Sequence, residues 1–149
     1  MALEENVMTA LKEAMKAKDQ AAMRTLRSIK AAILLFKTSG SGEELNGEAE
    51  IKLLQKMVKQ RKESAGIFHQ QNRLDLAQTE EEEIAVLEQF LPAQLDEAAL
   101  TLIIQQIITD TGATSAKDMG KVIGQANKQL AGKAEGRVIS EVVKRLLAS

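Results

Sequence analysis

The chain has no cysteine, no tryptophan and no tyrosine, a single proline and three phenylalanines. Without cysteine there is no disulfide framework, thiol nucleophile, iron–sulfur cluster or thiolate zinc site. One proline and nine glycines in 149 residues exclude turn-built sandwiches, collagen-like repeats and long disordered tracts. Long apolar runs are missing too. The longest, Ala31 to Phe36, is about a third of the roughly 20 residues a spanning helix needs, so no membrane partner is expected. Met1 to Lys18 carries Glu4, Glu5 and Glu13 within an amphipathic stretch in place of a basic and apolar signal pattern. These absences point to a cytoplasmic protein. Neither sign of charge dominates: 20 basic residues face 21 acidic ones, which removes both a uniformly basic nucleic-acid coat and an acidic solvating tail.

What is present is helical patterning. Leu3, Val7, Leu11 and Ala14 share one face of a helix over about 2–17, and Asp19 caps a second, with Met23, Leu26, Ile29, Ile33 and Phe36 inward until Gly40 and Gly42. Ser39 to Gly47 reads as a loop. A third helix from about Glu48 to near Asn72 buries Ile51, Leu54, Val58, Ala65 and Phe68. A fourth buries Ala77, Ile84, Leu87 and Leu91 and closes at Pro92. Pro92 to Leu95 reads as a hinge. Asp96 then caps a fifth helix, with Leu95 stapled on Leu100, that runs to Gly112. Ser115 and Asp118 form a capping-box pattern before a sixth helix with Met119, Val122, Ile123, Ala126 and Leu130 inward. A seventh, after Gly132 to Gly136, carries Val138, Ile139, Val142, Val143, Leu146 and Leu147. No strand-like alternation persists. The expectation is an all-α protein of two helical subdomains: about four helices over 1–92, then a three-helix unit over 96–149.

Few residues offer chemistry. His69 is the only imidazole and has no nucleophile motif beside it, so a surface histidine is expected rather than a general base. Glu80 to Glu83 are consecutive on a helix and diverge by about 100° per residue, so they fan out instead of converging on a cation. No catalytic residue, metal ligand or cofactor is assigned. Arg61 falls within the apolar stripe of the third helix and Glu80 within that of the fourth. A structural Arg61–Glu80 pair is expected, with Glu83 as substitute, because an inward arginine needs a partner. Gly40-Ser-Gly42 lacks the Lys-Ser/Thr of a phosphate loop. Gly120 and Gly124, four apart, are expected to set a close helix contact.

Positive charge gathers at the end of the chain: Lys117, Lys121, Lys128, Lys133, Arg137, Lys144 and Arg145 against Asp118, Glu135 and Glu141. Lys117, Lys121 and Lys128 follow spacings of four and seven and line one ridge suited to phosphates; a plain solvated ridge is the competing reading. Phe36, Phe68 and Phe90 sit on apolar faces, which leaves no stacking platform for unpaired bases. Folded RNA met by its shape and backbone is the nucleic acid this pattern suits.

The stretches Gln60-Arg-Lys-Glu-Ser64, Asp75-Leu76, Glu80 to Ile84, Phe90-Leu-Pro92, Thr111-Gly-Ala-Thr-Ser115 and Lys117-Asp-Met-Gly-Lys-Val-Ile-Gly124 resemble the YqeY family of GatB/YqeY proteins across essentially the whole chain. Residues 117–124, with Gly132-Lys-Ala-Glu-Gly136 and the helix bearing Val142-Val-Lys-Arg-Leu-Leu147, are similar to the tail of the GatB subunit of tRNA-dependent amidotransferase. Glu135 stands where that pattern has Asp, and Phe90 where Tyr is commoner. The resemblance implies two helical subdomains and a non-catalytic accessory module that engages tRNA or a tRNA-handling protein. Lys117, Lys121, Lys128, Lys133 and Arg137 would hold phosphates. It also implies one alternative, a part in glutamine-dependent carbon–nitrogen ligase chemistry, although no counterpart of that enzyme's cradle domain is present. A third reading, from the residues themselves, is a protein-interaction module whose apolar seams between the two units dock a partner helix.

Overall fold

The computed structural model describes residues 2–40 and 44–148. Every α-helix or other regular element among them is helical: α1 (Ala2–Ala17), α2 (Gln20–Thr38), α3 (Gly47–Gln70), α4 (Leu74–Glu88), α5 (Glu97–Thr111), a 3-10 turn (Ala116–Asp118), α6 (Met119–Gln129) and α7 (Gly136–Ala148). The chain divides into two compact units, Met1–Leu91 and Pro92–Ser149.

In the first unit two helical hairpins meet. Lys18 adopts a left-handed backbone, φ 56°, and turns the chain after α1. Asp19 then accepts a hydrogen bond from Ala22 N at 3.1 Å, satisfying one of the free amides at the start of α2. Asn72, φ 57°, reverses the chain between α3 and α4. Both residues tolerate this region only at some expense, asparagine less than lysine. α4 packs on both α3 and α2, and α1 packs on α2. The core between them holds Val7, Leu26, Ile29, Ile33, Leu54 and Leu87. The loop between α2 and α3 is more than a connector: Leu45 is buried within this core, and Asn46 caps α3 by accepting from Ala49 N at 2.9 Å. Ser41 and Gly42 lie outside the described residues.

The second unit surrounds Leu100, Ile104, Ile107, Val122, Ile139 and Val143. Asp96 accepts from Ala99 N at 2.8 Å to begin α5, and Leu95 packs into the same cluster as Leu100. Gly112, φ 71°, ends α5 in the left-handed conformation that a side chain would strain. The Ser115/Asp118 start differs from a capping box. Ser115 Oγ accepts from Lys117 N at 3.3 Å, while Asp118 Oδ2 accepts from Thr114 N at 3.0 Å. The amides are satisfied one position early, so the chain winds as 3-10 before α6. The expected hinge is also shorter than Pro92 to Leu95. Gln94 Nε2 donates to Gly132 O at 2.6 Å and Leu95 N to Lys133 O at 2.9 Å, fastening both residues to the α6–α7 turn.

Candidate functional site

α6 is built with one apolar and one cationic side. Val122 and Ala126 are buried in the core of the second unit, and Met119 and Ile123 pack beside them. At about 100° per residue, that phase turns Lys121, Gly124 and Lys128 outward, and all three are exposed. Lys121 and Lys128 are seven residues apart, which separates their Cα atoms by about 10 Å along the axis and by only about 20° around it. Lys117 is exposed as well, but it lies in the 3-10 turn and leaves the regular ridge expected from its spacing. Lys133 is exposed in the turn after α6, its carbonyl fixed by Leu95 N.

Among the described residues, no acid lies within ion-pair distance of Lys117, Lys121, Lys128 or Lys133. Arg137 differs: Nη1 lies 3.6 Å from Glu141 Oε1 one turn on, a solvent-facing pair that holds its partner weakly. Arg145 is committed to structure, bonding Glu97 at 2.8 Å and Thr101 at 3.1 Å and so joining α7 to α5. Lys144, also exposed, is a further cation of this unit. The surface can therefore attract phosphates at several points without first breaking strong internal pairs.

Gly120 and Gly124 do not set a helix contact. Both are exposed, and a Cβ on either would meet nothing within 4 Å. The expectation used their spacing of four without its phase: Val122 and Ala126 take the inward side, so the glycines face out. Beside Gly124, Asn127 is exposed too; sequence reading passed over it, although it is three residues on and on the glycines' side of the helix.

The inward arginine of the first unit finds Glu83, not Glu80. Arg61 Nε donates to Glu83 Oε1 at 3.0 Å and its Nη1 to Met57 O at 3.1 Å. Arg24 Nε donates to the other oxygen, Glu83 Oε2, at 3.1 Å. Pairing α3 with α4 alone favours Glu80. With α2 packed on α4 as well, the acid at the three-helix seam is Glu83, while Glu80 is half-buried one turn earlier. Arg24 thus engages Glu83 while its own side chain stays 43% exposed. His69 is exposed and meets Glu81, Nε2 to Oε1 at 2.7 Å.

A family model described as Yqey-like protein matches residues 4–147. The chain is 35% identical over 137 residues to a protein of Clavispora lusitaniae named "Altered inheritance of mitochondria protein 41, mitochondrial", a match spanning 87% of this chain and 77% of that one. Proteins of the same name from Meyerozyma guilliermondii and Lachancea thermotolerans are 33% and 32% identical; the matches cover 80% and 70% of this chain and 68% and 57% of theirs. All three relatives are mitochondrial by name, which overturns the cytoplasmic expectation. That expectation rested on absent cysteine and an acidic first helix. Both are properties of a folded body and carry no address, since targeting is read from dedicated segments.

Proposed function

The chain belongs to the YqeY-like family, and from that membership we propose that it is a non-catalytic, translation-associated accessory protein that holds tRNA through its C-terminal unit. One observation carries the reading: Lys121 and Lys128 project from the same exposed side of α6, with Lys117 and Lys133 near its two ends, and among the described residues none of the four has an acid within ion-pair distance. Phosphate groups are the partner such cations suit. The partner is a folded RNA because the C-terminal unit contains no aromatic side chain on which an unpaired base could stack.

The test is tRNA affinity measured across salt. Each phosphate neutralised releases counterions, so wild-type affinity should fall steeply between about 50 and 200 mM salt. Lys121→Ala with Lys128→Ala should lower the logarithmic slope by about one to two. A flat salt response in the wild type overturns the proposal. A protein-directed reading rests on a different place, the α2 surface where Leu34 and Leu35 are 62% and 70% exposed. In that case charge reversal at Lys121 and Lys128 leaves association with the partner intact.

A further inference from the structure

α2 carries charge of one sign only. Over Gln20–Thr38 it holds Arg24, Arg27, Lys30 and Lys37 and no acidic residue. Its inward side is fixed by Leu26, Ile29 and Ile33, all buried against α1 and α4. At about 100° per residue, the opposite side bears Arg27, Ala31, Leu34, Leu35 and Thr38, with Lys30 on one shoulder, and all six are exposed. A lone surface leucine needs no explanation. Here two stand side by side, 62% and 70% exposed, next to cations that are free: among the described residues no acid lies within ion-pair distance of Arg27 or Lys30. The acids that border this side are already engaged, Glu4 by Lys37 at 2.6 Å and Glu82 by Arg24 at 3.6 Å. The outward side of α2 is thus apolar at its centre and positive around it.

We propose that this side of α2 lies on an anionic lipid surface, with Leu34 and Leu35 entering the headgroup boundary and Arg27 and Lys30 meeting lipid phosphates. The inference is independent of the RNA reading of the second unit. Size and chemistry select the occupant. α2 has 19 residues, so its outward strip measures about 28 Å by 10 Å, whereas a specific protein interface takes roughly 800 Å² from each partner. Nucleic-acid phosphates would satisfy the cations and leave the leucines in water. A bilayer surface asks for no shape match: attachment of a helix lying in its plane scales with apolar area buried plus attraction to anionic lipid. Such contact is peripheral and reversible. No helix among the described residues is long and apolar enough to cross a membrane, and a helix on the surface has no need to be.

The experiment is co-sedimentation of the full chain with vesicles of phosphatidylcholine alone and of phosphatidylcholine mixed equally with phosphatidylglycerol. The protein should sediment with the mixed vesicles, not with the neutral ones, and less so as salt is raised. Arg27→Gln and Lys30→Gln should each weaken partitioning about fivefold. Leu34→Ala/Leu35→Ala should weaken it about tenfold or more with the melting temperature unchanged, because exposed positions contribute little to the fold. Since the chain has no cysteine, Leu35→Cys gives a single site for an environment-sensitive fluorophore, whose emission should shift to the blue on addition of the mixed vesicles. Lys121→Ala/Lys128→Ala should bind vesicles as wild type. Absence of sedimentation with the mixed vesicles overturns the inference and leaves the α2 leucines to a protein partner. Equal binding to both lipids, a leucine variant that binds as wild type, an unshifted fluorophore, or loss of binding in the Lys121/Lys128 variant also overturns it. None of these results bears on tRNA affinity, which is measured separately.

Discussion

Removing Glu83 should harm the first unit more than removing either arginine it serves. Its side chain is 11% exposed and that of Arg61 is 16% exposed, so Glu83→Ala leaves the inward guanidinium without its acid, at about 3 kcal/mol by urea denaturation. Arg24→Ala should lose less than about 1 kcal/mol, because that side chain is 43% exposed. Arg61 is legible in the sequence as a charge inside an apolar stripe. The choice between acids one turn apart is not, because it depends on a third helix that no local spacing reveals. A surface pair gives a pH signature of its own. The hydrogen bond from the Arg73 guanidinium holds the Asp75 carboxyl below the usual carboxylate range. With the folded value lowered, the contribution of this pair is present above the ordinary range and lost as pH falls through the lowered one. Carboxyl titration by NMR should show Asp75 returning to an ordinary value in Arg73→Ala.

Helices announce themselves by the spacing of their apolar residues, and all seven are legible that way because a core face must recur every three or four positions. Phase and ends carry the finer information. The outward phase of Gly120 and Gly124 follows from Val122 and Ala126, once the apolar stripe and not the glycine spacing is taken as the guide. Leu45 is harder to find: a lone leucine among polar loop residues has no period, and only the tertiary fold draws it into the core. Leu45→Ala should therefore destabilise the protein by about 2–4 kcal/mol in the same denaturation assay, where a plain loop position would give almost nothing. At an end, Gly112→Ala should lower stability by about 1 kcal/mol, since its left-handed φ strains any side chain.

On the scale of the whole molecule, near-neutrality holds for each unit too: 13 cations face 15 acids over 1–91, and 7 face 6 over 92–149. The unevenness lies within the second unit, whose cations all fall between 117 and 145 while Asp96, Glu97 and Asp110 precede them. The motifs that resemble YqeY proteins span both units, and the family match over residues 4–147 agrees with them. Compartment was illegible because no property of a packed helical body encodes it. The bonds from Gln94 and Leu95 to the corner at Gly132 and Lys133 also bear on how the polypeptide can be taken apart. Anyone splicing a tag or a protease site between the two halves should cut ahead of Gln94. A cut further along would unstitch the corner that presents Lys133 and loosen the very unit it was meant to isolate.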